Sequence, residues 1–272
     1  MNIGFIGTGN MGGAILEGFA SSPASEGCKL LVCNLNQDHS AWALERTGGR
    51  CEIVGSNTDL CEQSDVVVLG VKPQVIDGVL EEIAGTFKDN PNRILVSMAA
   101  GISIEHLCSF LGTDAKIIRI MPNTPAKVGE AMTAVSRNGN VGDEEFFAVK
   151  KIFDSIGSAE EIDEDLIDCV IGVSGSSPAY TYMYIEALVK AAVANGMEKE
   201  KARVFAAQAV LGAAKMVLES EESIEQLRIN VCSPGGTTIE AVNKLFDNGF
   251  MEKVEEGFQA AVDRSIEMTK GR

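Results

Sequence analysis

Up to about residue 160 the chain alternates short apolar or β-branched runs with longer helix-compatible stretches. The runs are NIGFI, KLLVC, DVVVLGV, RILVSM and KIIRIM; between the first four lie segments such as residues 11–20 and 37–47. A strand that is apolar throughout has to be covered on both faces, and a parallel neighbour is reached only through a crossover. The alternation therefore predicts an α/β fold. Right-handed βαβ units build a mostly parallel, doubly wound sheet with helices on both sides.

The first run leads into GFIGTGNMGGAI, which places Gly7-x-Gly9-x-x-Gly12 directly after a strand and at the opening of a helix. That context is what a Rossmann-type dinucleotide turn requires. Gly7 makes the tight turn, Gly9 admits the pyrophosphate, and Gly12 lets helix and strand pack, with the helix N-terminus facing the phosphates. Ile6, Gly7, Thr8, Gly9, Asn10, Met11 and Gly12 are accordingly expected at a cofactor. Selection between NADP and NAD is read at the end of the second strand, where an acid would hold the ribose 2′-OH of NAD. Here the stretch is LLVCNLNQ, with Cys33, Asn34 and Asn36 and no carboxylate. The repulsion against a 2′-phosphate is absent and amide donors remain, so NADPH is expected over NADH.

Beyond the stretch SAEEIDEDLID the grammar turns helical, and the predicted division is a dinucleotide-binding domain over residues 1–162 and an all-α domain over residues 163–272. PAYTYMYIEALVKAAVANG starts with Pro178 in a first turn and stops at Gly196. Residues 202–218 carry only Arg203, Gln208 and Lys215 as strongly polar members. A helix apolar nearly all round has to be covered on all sides. A second copy of the chain is expected to supply part of that cover, making the helical half a dimerisation domain.

With 23 basic against 39 acidic residues the formal charge is −16, which argues against nucleic acid or an anionic membrane as partner and for a small molecule. No run of hydrophobics is long enough to span a bilayer. Seven cysteines without a CxxC pair read as thiols of a reducing compartment, and no room for a signal peptide precedes the first strand, so a cytoplasmic address is expected. His39 and His106, the only histidines, have neither metal spacing nor a nucleophile in a recognisable elbow; no metal site is predicted.

One late stretch stands out from its helical surroundings. In NVCSPGGTTIEA two glycines and two threonines run into an apolar helix. Glycines allow close approach to the backbone, and the unpaired N–H groups of a first helical turn point at whatever sits there, so the stretch reads as an anion cradle.

In order along the chain stand SN (Ser56, Asn57), VVVLGVKPQ, SMAAGISI, RIMPNTPAKVGEAMTA, GVSGSSPAY and NVCSPGGTTIEA. Together they resemble the pyrroline-5-carboxylate reductase family over essentially the whole chain, with MPNTP and SPGGTT the most specific pieces. The resemblance implies that Asn57, Gly70, Val71, Lys72, Pro73, Met98, Ala99, Ala100 and Asn123 line a nicotinamide cofactor alongside Asn34. It implies further that the cradle grips the carboxylate of pyrroline-5-carboxylate, a cyclic imine, through Ser233, Gly235, Gly236 and Thr237. Thr238 would be the catalytic hydroxyl beside the ring nitrogen, and Asn230 and Glu221 would also belong to the substrate site. Two alternatives remain. A β-hydroxyacid dehydrogenase has a similar opening but needs a base, usually a lysine, and SGSSPAYTYMYIEA contains none. A non-catalytic NADP-binding sensor would have no need of the cradle.

Overall fold

Each of the five apolar runs forms a strand: β1 (Asn2–Ile6), β2 (Lys29–Cys33), β4 (Val66–Leu69), β5 (Ile94–Ser97) and β6 (Lys116–Met121). Three more strands complete the sheet: β3 (Cys51–Ile53), β7 (Ala131–Arg137) and β8 (Gly157–Glu161). The structure, a computed structural model, describes residues 1–270. Its eight-stranded sheet runs β3-β2-β1-β4-β5-β6-β7-β8. Every pairing is parallel except β6 with β7.

Successive side chains of a strand point to opposite faces, and the central strands bury both. Ile3, Phe5, Val66 and Val68 pack with Ile15, Leu16 and Phe19 of α1 (Asn10–Ser21), Ala43 of α2 (Gln37–Arg46) and Phe146 and Phe153 of α6 (Asp143–Asp154). On the other face Ile6, Val67 and Leu69 meet Leu60 of α3 (Asn57–Gln63), Leu80 and Ile83 of α4 (Ile76–Asp89), and Leu107 of α5 (Ile104–Leu111). Helix starts follow local chemistry. Asn36, Ser56 and Ser103 cap α2, α3 and α5 by accepting from the N–H groups of Asp38, Asp59 and His106.

The described residues form two compact units, Met1–Gly175 together with the segment from Ala261 onward, and Ser176–Ala260. The first therefore continues beyond β8 through the short helix α7 (Ile167–Val170) and a π-helical turn over Ile171–Gly175. The second holds α8 (Ser177–Ala194), α9 (Lys199–Glu219), α10 (Ile224–Val231), α11 (Thr237–Asp247) and the start of α12 (Phe250–Lys270). Within this helical unit α8 buries no residue fully, and α9 buries only Ala202 and Ala206. Phe205 is 68% exposed and Leu218 85%. Its own neighbours thus leave α9 with a large uncovered apolar surface. Among the described residues no helix is long and apolar enough to cross a membrane.

Candidate active site

Strand order reverses direction between β1 and β4, and open α/β sheets bind ligands beyond the carboxyl ends of strands at such a point. The turns leaving these two strands are stitched together. The Gly7 N–H donates to the Cys33 carbonyl (2.9 Å) and the Gly70 N–H to the Ile6 carbonyl (2.8 Å). Gly7 has φ +85°, in the left-handed region that favours glycine. A Cβ on Gly12 would stand 2.5 Å from the Gly7 carbonyl oxygen, so helix α1 is seated directly on the turn.

Gly9 differs from its neighbours: a Cβ there would meet nothing within 4 Å. It caps α1 with no side-chain hydrogen bond, and the first turn of α1 holds no acidic residue. Most helices of this acidic chain carry Asp or Glu in that turn; α1 and α8 do not. An open, uncapped and unneutralised N-terminus suits a phosphate group.

Beside it lies a cleft of about 630 Å³ lined by Thr8, Gly9, Asn10, Ala14, Glu17, His39, Trp42, Arg46, Lys72 and Lys127. The Trp42 ring also fills the space over Gly13, where a Cβ would come within 2.6 Å of it. Trp42, Arg46 and Lys127 were not singled out by their sequence context, since the first two sit on α2 and Lys127 follows β6.

Asn34, at the end of β2, holds the turn from the side. Its Oδ1 accepts from the Thr8 N–H (2.7 Å), while its Nδ2 donates to Thr8 Oγ1 (2.9 Å) and lies 3.4 Å from Ser40 Oγ. Asn36 accepts from Asp38 N–H (2.8 Å). The amides expected to face a 2′-phosphate thus also hold the chain's own backbone and side chains. Burial, with Glu82 and Asp59 adding to it, pushes the neighbouring Cys33 thiol above its usual range, so it stands there as a neutral group.

Val71, half-buried, and exposed Lys72 follow Gly70, and Pro73 opens a short 3-10 turn into α4. Asn57, at the start of α3, donates to Glu82 (2.7 Å). Met98, Ala99 and Ala100 leave β5, with the Met98 N–H reaching the Leu69 carbonyl at 3.5 Å and Ala99 buried. Asn123 is held by the protein itself. Its amide is buried, accepts from the Met132 N–H (3.0 Å) and donates to the Ser174 carbonyl (3.1 Å). That side chain ties the loop after β6 to β7 and to the π-helical turn.

Within the helical unit the late glycine stretch forms a bend. Gly235 has φ +69°, and the Gly236 N–H donates to the Ser233 carbonyl (3.0 Å). Ser233 Oγ occupies the place of a side chain on Gly236, 2.4 Å from where a Cβ would be. Gly236 caps α11 with no side-chain hydrogen bond, so the Thr237 and Thr238 amides open a bare helix terminus; Glu240 in the same turn weakens its field. The hydroxyls of Ser233, Thr237 and half-buried Thr238 have no partner among the described residues. Asn230 donates to both carboxylate oxygens of Glu222 (3.1 and 3.0 Å) and accepts from Gln226 (2.7 Å). Glu222, adjacent to the expected Glu221, is therefore the acid bound to Asn230; both glutamates are exposed.

Comparison with known proteins bears on both halves. The model of the family described as NADP oxidoreductase, coenzyme F420-dependent, matches residues 2–101, and that for pyrroline-5-carboxylate reductase dimerisation matches residues 164–268. Over 268 residues the chain is 44% identical to the pyrroline-5-carboxylate reductase of Escherichia coli, covering 98% of each chain. A pyrroline-5-carboxylate reductase structure from Coxiella burnetii superposes with TM-score 0.90 at 34% identity over 98% of both chains. The Plasmodium falciparum pyrroline carboxylate reductase, crystallised with NADP bound, does so with TM-score 0.86 at 31% identity, over 99% of this chain and 98% of that one.

Proposed function

This chain belongs to the pyrroline-5-carboxylate reductase family, and we propose that it divides the work between a dinucleotide turn at Gly7–Gly12 and Gly70–Pro73 and a carboxylate cradle at residues 233–238. It is an NAD(P)H-dependent oxidoreductase that reduces the C=N bond of 1-pyrroline-5-carboxylate to give L-proline. A β-hydroxyacid dehydrogenase or a silent sensor has no comparable support at this identity and coverage.

The cofactor fit rests on the open space at Gly9 and on the bare start of α1. Ile6 to Gly12, Asn34, Asn57, Gly70 to Pro73 and Met98 to Ala100 all lie at or beyond the carboxyl ends of strands β1 to β5, the edge on which such a ligand lies. When bound, the reduced nicotinamide supplies the hydride. NADPH is preferred over NADH in this reading, because no carboxylate stands at the end of β2 to repel a 2′-phosphate.

One observation carries the substrate assignment: three hydroxyls without partners surround a bare helix terminus at Ser233, Thr237 and Thr238. Backbone N–H groups of Gly236, Thr237 and Thr238 suit a carboxylate, each charge-assisted bond adding to a helix-end field of about 0.3–1 kcal/mol. Thr238 donates to or accepts from the ring nitrogen as it passes from imine to amine. A protonated imine is already electrophilic, so the chain's contribution is placement and exclusion of water more than strong acid–base chemistry.

Self-association through the helical unit accompanies this reading, supported by the dimerisation match over residues 164–268 and by the uncovered face of α9. The compartment we propose is the cytoplasm, a reducing address that suits seven cysteines, all of them free thiols.

Thr238→Ala tests the cradle. It should lower kcat/KM for pyrroline-5-carboxylate more than tenfold, leave the Kd for NADPH and the Tm unchanged, and be partly rescued by Thr238→Ser. An unchanged kcat/KM would remove Thr238 from the mechanism.

A further inference from the structure

We propose that Lys127, which lies outside both the glycine turn and the matched region of the dinucleotide family, is a cationic contact for the cofactor's pyrophosphate. The inference rests on the reading of the Gly9 cleft as the dinucleotide site and adds a residue to it.

Lys127 belongs to the 3-10 segment Thr124–Val128, which packs against α1, and lines the same cleft as Thr8, Gly9 and Asn10. The segment is held in place. Asn123 anchors its start, and the carbonyls of Pro125 and Ala126 accept from the N–H groups of Glu130 and Gly129 behind it. Its charge is also uncommitted. Arg46, another cation of the cleft, pairs with Glu17 at 3.1 Å and lies over Trp42. Lys127 and Lys72 are exposed and make no ion pair among the described residues. In a chain of net charge −16, two ammonium groups without an ion pair beside an open helix N-terminus form a local positive field. A pyrophosphate arriving at Gly9 carries the opposite charge.

Commitment to the pyrophosphate, and not to the 2′-phosphate, follows from the company Lys127 keeps. Its cleft mates are Gly9 and Asn10 at the start of α1, whereas the 2′-phosphate belongs at the end of β2, and neither Asn34 nor Asn36 lines this cleft. NADPH and NADH should therefore lose the same affinity when the charge is removed.

The test uses the full-length enzyme and Trp42, the only tryptophan of the chain, which lines the cleft and reports occupancy by a change in fluorescence; calorimetry gives an independent Kd. Lys127→Ala should raise Kd for both NADPH and NADH by about two- to fivefold, the scale of one exposed charge contact, and flatten the dependence of Kd on salt. Lys127→Glu should raise both further. Lys88→Ala makes the same change of net charge on α4, outside the cleft, and should leave both constants alone. If Lys127→Ala and Lys127→Glu bind both dinucleotides like the parent, or if the loss is confined to NADPH, the assignment of Lys127 to the pyrophosphate is overturned. If the parent enzyme binds neither dinucleotide by calorimetry, the dinucleotide reading itself is at fault and the lysine assignment goes with it.

Discussion

A Cβ built on Gly70 would stand 2.1 Å from the carbonyl oxygen of Gly7. The two turns leaving β1 and β4 therefore touch backbone to backbone, and Gly12 presses on the same carbonyl from the helix side. Glycine at these three positions is a packing requirement of the fold. Gly9, flanked by them in sequence and in space, has no such constraint: its φ of −68° is open to any residue, and the space before it is empty. The difference separates what the turn needs in order to exist from what it needs in order to bind.

Gly70→Ala and Gly9→Ala should accordingly fail in opposite ways. Alanine at 70 forces the two turns apart, an overpacking that costs about 1–3 kcal/mol or more, and should lower the Tm by several degrees or prevent folding. Alanine at 9 should melt like the parent yet raise the Kd for NADPH more than tenfold, because its methyl group occupies the cofactor's approach. Thermal denaturation and calorimetry on both variants decide the matter; a destabilised Gly9→Ala with intact NADPH affinity would contradict the account.

Asn34→Asp isolates cofactor choice from the integrity of the turn. An aspartate still accepts from the Thr8 N–H, which lies 2.7 Å from Oδ1, and gives up the Nδ2 donation to Thr8 Oγ1. What it adds is a negative charge at the end of β2, where a 2′-phosphate would be repelled and a ribose 2′-OH held. The ratio of kcat/KM for NADPH over NADH should fall at least tenfold, mainly through KM for NADPH, with little change in Tm. A ratio that does not move would put the 2′-phosphate elsewhere.

The contrast between these residues also explains how far the sequence could be read. Strands β1, β2, β4, β5 and β6 are visible because burial on both faces leaves an unbroken apolar run. β3 and β8 are the outer strands of the sheet, and GSAEE buries only Ala159, so nothing apolar announces it. β7 hides for a different reason. AMTAVSR is buried along most of its length, but Thr133 and Ser136 are polar members of its interior. At the site, the first glycine turn is legible because part of its constraint is local, a Cβ on Gly12 meeting the Gly7 carbonyl five residues before it. The structural ties of Asn123 are not legible, because its partners, Met132 and Ser174, come from 9 and 51 residues away. No short motif could disclose them. Lys127 was invisible on the same grounds: only the folded segment carries it to Gly9.

Glu145 provides the pH prediction. Its Oε1 accepts from Lys116 Nζ (2.5 Å) at the start of β6, while its Oε2 accepts from the Gly142 N–H (3.2 Å) as a cap of α6. Partial burial pushes the carboxyl up, but the Lys116 ammonium and the Gly142 N–H outweigh it and hold the group below its ordinary value. A carboxyl with a depressed pKa in the fold adds stability above its unfolded value, about 4.3, and loses it as the pH falls through the folded value. Glu145→Gln keeps the size of the side chain but lacks the charge, and its one carbonyl oxygen takes the place of only one of the two accepting oxygens. At pH 7 it should lie roughly 0.5–1 kcal/mol below the parent, the range for a partly exposed pair, a Tm difference of about 1–4 °C in a chain of this size. Between pH 7 and 5 that difference should stay constant, and below about pH 4 it should shrink as the parent's carboxyl takes up a proton. Melting curves across this range check it, and a difference that persisted undiminished at pH 2.5 would mean that packing, not the Lys116 charge, is what Glu145 contributes.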